Sequence, residues 1–173
     1  MTSATPARSA TQKLTRPDSR LDSTESKLAT NPRARFDYEI TGTLEAGIVL
    51  LGHEVKSARS GHLSLKGSYA AIRGGECWLL GAHISPYPKA GPLPGYDPTR
   101  SRKLLLSKTE LKKLIGRLTV ERLTLVPLTM YSRGRHLKIE LGLARGKRKY
   151  EKRATIKKRE QEREMRQALK RSA

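Results

Sequence analysis

Hydrophobic and polar residues alternate along several short segments of the chain, which is typical of half-buried β-strands. In His136–Leu143, the apolar residues Leu137, Ile139, Leu141 and Leu143 are separated by single non-hydrophobic residues. This period of two predicts a strand with one buried face. Four further segments have strand character: Gly47–Val55, Ser68–Ile72, Glu76–Leu80 and Thr124–Tyr131.

Glycine-rich turns join two pairs of these segments. Arg73-Gly74-Gly75 precedes Glu76–Leu80, and Ser132-Arg133-Gly134-Arg135 precedes His136–Leu143. Each arrangement predicts a β-hairpin. Pro127 has no backbone N–H to donate, so we expect an edge or a bulge at that point of its strand.

One helix is predicted between the strands. Ser107-Lys108-Thr109-Glu110 has the sequence of a capping box. The apolar residues that follow share one helical face: Leu111, Leu114, Ile115 and Leu118. Short strands and one helix within about 115 residues favour a mostly β fold, and an antiparallel OB-like barrel is the natural candidate.

Charge divides the chain into three parts. The formal net charge is +20, with +2 in residues 1–30, +9 in 31–144 and +9 in 145–173. Residues 1–30 have few large apolar side chains, so we expect a disordered N-terminal extension. Residues 31–144 would form the barrel. The basic C-terminal tail, 145–173, lacks a wide apolar stripe, so we expect it to be disordered when free or helical on binding.

The sequence gives no support for an enzyme, a metal site or a cofactor. The four histidines and the one cysteine, Cys77, show no metal-ligand spacing. A single cysteine allows no disulfide within the chain, which fits the cytoplasm. No apolar run approaches the length of about 20 residues that crosses a membrane, so we expect no transmembrane helix. Among the partners we expect no membrane.

A strongly basic protein attracts polyanions; nucleic acid is the first candidate, and an anionic membrane surface is the second. An aromatic residue among cations can stack on an unpaired base, as Tyr150 could in the tail. Ribosomal proteins and RNA chaperones fit this pattern equally well, and a metal-dependent nucleic-acid-processing enzyme is a third class. The predicted tail contacts are Lys147, Arg148, Lys149, Tyr150, Lys152, Arg153, Lys157, Lys158 and Arg159.

Several strings of residues narrow these alternatives, because together they closely resemble the SsrA-binding protein family, also called small protein B. The resemblance extends from about residue 31 to about residue 160. The strings are Asn31-Pro-Arg-Ala-Arg-Phe-Asp-Tyr38, Glu45-Ala-Gly-Ile48, Gly52-His-Glu-Val-Lys-Ser57, Asp97-Pro-Thr-Arg-Ser-Arg-Lys-Leu-Leu-Leu106, Val126-Pro-Leu128, Tyr131 and Gly146-Lys-Arg-Lys-Tyr-Glu-Lys-Arg153.

The resemblance implies an antiparallel OB-type barrel with small flanking helices that binds the tRNA-like domain of tmRNA. It also implies rescue of ribosomes stalled on truncated mRNA, with the tail helical in the empty mRNA channel. There the tail would meet ribosomal RNA at the small-subunit decoding centre. Elongation factor Tu would be an indirect partner, since it delivers alanyl-tmRNA.

The resemblance also assigns roles to single residues. Glu45, Leu105 and Lys138 match RNA-binding positions of the family, although Leu105 could equally be a strand-core residue. Ser107 stands where many relatives have asparagine, and we favour a helix cap over an RNA contact for it. Tyr150 matches the position that stacks at the decoding centre. The rest of the predicted RNA-binding set of the body is Lys56, Arg59, Arg102 and Lys103.

Two departures from the family pattern stand out. Glu151 replaces the usual aspartate and keeps its charge. Gly95-Tyr96 replaces residues that are often asparagine and histidine, which leaves the RNA contacts of that loop open.

Overall fold

The structure is a computed structural model that describes residues 25–148 and, beyond them, Tyr150, Glu160, Gln161, Arg163–Met165 and Gln167. Residues 25–148 form nine strands and three α-helices. The strands are β1 (Glu25–Thr30), β2 (Tyr38–Ile48), β3 (Leu63–Ser64), β4 (Tyr69–Arg73), β5 (Glu76–Leu80), β6 (His83–Ile84), β7 (Arg102–Leu105), β8 (Thr124–Arg133) and β9 (His136–Gly146). The helices are α1 (Ala34–Asp37), α2 (Gly52–Arg59) and α3 (Lys108–Glu121), and Pro88–Ala90 forms a 3₁₀ turn.

Six of the strands close into a barrel. Their order is β8, β4, β5, β7, β2, β9, and β9 pairs back with β8. Every pairing in the ring is antiparallel. Closure leaves few strand edges to attract other chains. The prediction of a mostly β, OB-like antiparallel barrel with small flanking helices is confirmed.

The interior of the barrel is filled by the apolar residues of the alternating strands. In β9, Leu137, Ile139, Leu141 and Leu143 are all buried, as the period of two predicted. Ile139, Leu141 and Leu143 pack with inward residues of the other strands, which include Ala46, Leu79, Leu104, Leu125 and Met130. The alternation also fixes which residues point outward, because their immediate neighbours point into this core.

Strand β8 changes partner along one of its edges. Leu125 pairs with Ala70 of β4, whereas Thr129–Arg133 pair with β1. The pairing of β8 with β9 shifts register between Pro127 and Thr129. The predicted bulge at Pro127 is therefore confirmed, and it lies where β8 leaves one neighbour for the other.

Both predicted hairpins are present. β4 and β5 are joined through Gly74 and Gly75, which have φ angles of +58° and +72°. Such angles are favourable for glycine because it has no Cβ. β8 and β9 are joined at the second turn, where Arg133 pairs with His136.

Helix α3 begins at the predicted capping box. The Ser107 hydroxyl accepts a hydrogen bond from the Glu110 amide at 3.2 Å, and the Glu110 carboxylate accepts one from the Ser107 amide at 3.0 Å. Leu114 is buried against the barrel, while Ile115, predicted in the same apolar stripe, is 40% exposed. The cap role of Ser107 is confirmed.

The segment Gly47–Val55 differs from its prediction as one strand. β2 ends at Ile48 and α2 begins at Gly52. The Glu54 carboxylate accepts a hydrogen bond from the Leu51 amide at 2.9 Å, which satisfies a donor at the start of the helix. That carboxylate is held in place by arginines distant in sequence, so a local pattern could not reveal the helix.

The boundaries of the barrel also differ from those predicted. Residues 25–30, which we expected to be disordered, form β1, because their backbone pairs with the edge of β8. Residues 1–24 lie outside the described part of the chain. At the other end β9 continues to Gly146, past the predicted boundary at residue 144. The described residues of the tail from Tyr150 onward are helical.

In the described part of the chain, no helix is long and apolar enough to cross a membrane. The same residues contain no group of three or more His, Cys, Asp or Glu side chains that could hold a metal ion. The thiol of Cys77 is free and buried, and burial raises its pKa to about 11. It therefore packs as a small apolar side chain.

Candidate RNA-binding surface

One wall of the barrel brings together outward-facing residues from four strands. Gly47 of β2 lies opposite Leu105 of β7 on one side and Lys138 of β9 on the other. Tyr131 of β8 in turn lies opposite Lys138. Cross-strand partners project to the same side of a sheet, and so does a residue two positions away, which adds Glu45. We call Glu45, Gly47, Leu105, Tyr131 and Lys138 the β2–β9 face.

Glu45 is the electrostatic centre of the β2–β9 face. Its carboxylate accepts hydrogen bonds from the Lys138 ammonium and the Tyr131 hydroxyl, and the Arg133 guanidinium lies 3.8 Å away. Partial burial raises the pKa of Glu45, but the hydrogen bonds from Lys138 and Tyr131 and the nearby positive charges outweigh it, so the pKa is lowered. Glu45 is therefore ionised at neutral pH and orients Lys138.

Leu105 gives the β2–β9 face an apolar contact. Its side chain is 53% exposed, so the alternative of a strand-core residue is wrong. A Cβ on Gly47 would lie 3.3 Å from the Leu105 Cβ, so glycine allows the two strands' outer surfaces to approach closely. A cleft of about 320 Å³ opens beside them, lined by Gly47, Ile48, Leu50, Val55, Leu105, Arg135, His136, Leu137 and Lys138.

Arg135 and Lys138 line this cleft, and further cations lie on α2 and in the β8–β9 turn. Lys56 and Arg59 are exposed on α2, and the Arg59 guanidinium donates to the Arg135 carbonyl oxygen at 3.0 Å. Arg133 and Arg135 belong to the turn that the sequence identified, but their charge was not considered in predicting the site. The density of arginine in that turn was the signal that could have found them.

Two adjacent predicted contacts on β7 have different environments. The side chain of Lys103 is 39% exposed, and its ammonium pairs with Glu76. Arg102 is fully buried, so the prediction that it binds RNA is wrong. Strand alternation explains the difference, since Arg102 points to the interior side and Lys103 to the outer side.

Arg102 belongs to a buried ionic cluster around Glu54. Its guanidinium donates to Glu54 at 2.9 and 3.1 Å and to the carbonyl oxygens of Ala82 and Pro98 at 2.6 and 2.8 Å. Arg100 donates to the same carboxylate at 2.5 Å. Burial raises the pKa of Glu54, but hydrogen bonds from Arg100, the Leu51 amide and Arg102 lower it overall. The cluster fastens α2, with its exposed cations, to β7.

The tail leaves the barrel at the end remote from the β2–β9 face. Gly146 lies eight positions after Lys138 in β9, a distance of about 26 Å in an extended strand. The Lys147 amide donates to the Asp37 carbonyl oxygen at 3.0 Å, and its ammonium donates to that of Arg35 at 2.9 Å. The tail is thus fastened to α1 where it begins.

The predicted tail contacts are only partly described. Arg148 is exposed, and Tyr150 is helical and 64% exposed. An exposed aromatic ring is available for stacking. The remaining predicted tail residues lie outside the described part of the chain: Lys149, Lys152, Arg153, Lys157, Lys158 and Arg159.

A closed antiparallel barrel whose exposed cations surround a cleft with both apolar and basic lining is typical of a small RNA-binding β-barrel protein. Comparison with known protein families identifies the class of this protein more narrowly. The family described as SmpB protein matches residues 28–171, and the chain belongs to that family.

Relatives match along nearly their whole length. The SsrA-binding protein of Gloeothece citriformis is 52% identical over 148 residues, which cover 85% of this chain and 96% of that protein. That of Coxiella burnetii is 48% identical over 143 residues, covering 83% and 90%. A chain in the solved structure described as "tmRNA-SmpB: a journey to the center of the bacterial ribosome" has a TM-score of 0.59 and 48% identity, covering 72% of this chain and 87% of that one.

Proposed function

We propose that this chain binds the tRNA-like domain of tmRNA through the β2–β9 face and, with that RNA, rescues ribosomes stalled on truncated mRNA. It acts in the cytoplasm as a binding protein and not as an enzyme. Its partners are tmRNA, the ribosome and, through alanyl-tmRNA, elongation factor Tu.

The observation that carries the proposal is the meeting of Glu45, Leu105 and Lys138 on one exposed wall of a chain from this family. The three are widely separated in sequence, and the register of β2, β7 and β9 unites them. A carboxylate accepts hydrogen bonds from base amino and imino groups, an ammonium pairs with phosphate, and an exposed leucine covers a base or sugar. Lys56 and Arg59 on α2 add phosphate contacts beside them.

For the tail, residues 145–173, we propose occupation of the empty mRNA channel at the decoding centre. Its root lies about 26 Å from Lys138 along β9. One end of the protein can therefore hold tmRNA while the other faces ribosomal RNA. Its cations neutralise phosphates, and Tyr150 stacks on a base.

The binding site is tested by comparing Glu45→Gln with Glu39→Gln. Both remove one negative charge from an outward residue of β2, but Glu39 lies at the tail end, opposite Arg145. Glu45→Gln should weaken binding to the labelled tRNA-like domain about tenfold, because charge-assisted hydrogen bonds contribute about 1.5–3 kcal/mol. Glu39→Gln should bind the tRNA-like domain as tightly as the parent, the chain without substitutions, does.

The titration is made at near-physiological salt with ordinary tRNA and a ribosomal RNA fragment as competitors. If both variants bind more tightly, overall charge dominates and the assigned face is wrong. Equal displacement by every RNA would instead favour a general ribosomal RNA-binding protein.

The tail is tested by ending the chain at Arg148, which keeps β9 and the Lys147 contacts. This removes ten basic and four acidic residues. The control keeps residues 149–173 in shuffled order and so keeps their charge. We expect both variants to bind tmRNA and neither to support tagging on stalled ribosomes. Normal tagging by the truncated chain would refute the tail role, and normal tagging by the shuffled chain would reduce it to charge.

A further inference from the structure

Strand β1 extends the β2–β9 face by one strand. Its pairing with β8 sets Lys27 opposite Tyr131, which itself lies opposite Lys138. Neighbouring strands are about 4.8 Å apart, so the backbone of Lys27 lies about 10 Å from that of Lys138. Met130 and Ile139, the inward neighbours of Tyr131 and Lys138, are fully buried. Lys27 therefore projects from the outer side, and its side chain is exposed.

Lys27 differs in its ion pairing from the other two cations on this side of the sheet, Lys138 and Arg133. Lys138 is bonded to Glu45, and Arg133 lies 3.8 Å from the same carboxylate. Among the side chains of residues 26–148, which the structure describes, none forms a hydrogen bond or an ion pair with the Lys27 ammonium. A cation without a partner in the protein breaks no ion pair when it binds a phosphate.

We propose that β1 is part of the RNA-binding surface and that Lys27 contacts a backbone phosphate of the bound RNA. The inference rests on the proposed function and adds to it a strand whose first residues, Lys27 included, precede residues 28–171, the part of the chain that matches the family. The competing role for β1 is purely structural, since a lysine-bearing strand also protects the edge of β8 from other chains.

The test compares Lys27→Gln with Lys66→Gln in the full chain. Both remove one exposed positive charge, but Lys66 lines a cleft with Tyr38 and Thr124 at the tail end of the barrel. Lys27→Gln should weaken binding of the labelled tRNA-like domain about fivefold at physiological salt, the upper range for one exposed ion pair. The slope of log affinity against log salt should fall by about 0.7–0.9, as for one lost phosphate contact. Lys27→Arg should keep both values, and Lys66→Gln should change neither.

Hydrogen exchange supplies a second readout. Bound RNA that contacts Lys27 should slow exchange at the amides of Glu25–Thr30 in the parent, and less so in Lys27→Gln. Unchanged affinity and salt slope in Lys27→Gln, while Lys138→Gln binds weakly, would overturn the inference and leave the proposed function standing. Equal weakening by Lys27→Gln and Lys66→Gln would also overturn it. If Lys138→Gln binds normally as well, the proposed site itself is wrong.

Discussion

Replacing Arg102 with methionine removes the only residue of the predicted RNA-binding set that lies wholly inside the described barrel. Methionine is unbranched and fills much of the same space, so the change removes mainly the charge and its hydrogen bonds. Glu54 would keep Arg100, but the carbonyl oxygens of Ala82 and Pro98 would lose the donor they share.

The loss of unfolding free energy expected for Arg102→Met follows from the burial of the ion pair. Both Arg102 and Glu54 are fully buried, and removing one partner of such a pair costs about 3–5 kcal/mol. The neighbouring pair Lys103–Glu76 is about 40% exposed on both sides, so Lys103→Met should cost less than about 1 kcal/mol. A domain of this size has about 5–15 kcal/mol of total stability. The two substitutions are therefore well separated in effect.

Denaturant unfolding measures the difference, with fluorescence of Trp78, the single tryptophan, as the signal. RNA affinity is measured in parallel where each variant is fully folded. Arg102→Met should lower the unfolding free energy strongly. Where the variant is fully folded and α2 is in place, it should leave RNA affinity unchanged. An unaltered unfolding midpoint together with weaker RNA binding would refute the structural role and restore Arg102 as a contact.

Acid titration tests the same cluster. The pKa of Glu54 is lowered from its ordinary value of 4.5 in the folded protein. Its contribution to stability is therefore complete above pH 4.5 and is lost as the pH falls through the folded pKa. The unfolding free energy of the parent should fall more steeply below pH 4.5 than that of Arg102→Met. Parallel profiles would contradict the coupling.

Three further outcomes follow from local geometry. Ser107→Ala should lower the unfolding free energy by about 1 kcal/mol without changing RNA affinity; weaker RNA binding at normal stability would reveal a contact. Gly142→Ala should lower the unfolding free energy by about 1–3 kcal/mol, since a Cβ there would lie 3.2 Å from side chains of β2 and β8. Gly116→Ala should raise it, because a Cβ at that position of α3 meets open space. Equal unfolding midpoints for the two variants would refute this reasoning. Cys77 should resist thiol reagents at pH 8 until the protein unfolds, and rapid labelling of the native protein would contradict its burial.

Local sequence patterns predicted the elements that can be recognised without knowing their distant partners. The alternation in β9 shows which face is buried, although the strand itself pairs with β2, about one hundred residues away. The capping box at Ser107 and the two glycine turns require only contacts within a few residues. The bulge at Pro127 is of the same kind, because the missing N–H belongs to the residue itself. These elements, with the spacing of the turns, were enough for the OB-like barrel.

Contacts between residues distant in sequence determined the two elements that local sequence patterns did not predict, α2 and β1. Helix α2 is secured by Glu54, whose partner Arg102 is 48 residues away. Strand β1 exists because it pairs with β8, about one hundred residues further along the chain. Neither partner can be inferred from composition near the element, and this is why residues 25–30 resembled a disordered extension.

The sequence by itself determined the alternation of the strands, the excess of basic residues and the family resemblance. It could not determine which of those basic residues are available to RNA, because lysine and arginine have the same charge whether they are buried, paired or exposed. The tertiary structure decided this by strand register and burial. Arg102 points inward to Glu54, Lys138 pairs with Glu45, and Leu105 and Lys27 lie on the outer surface.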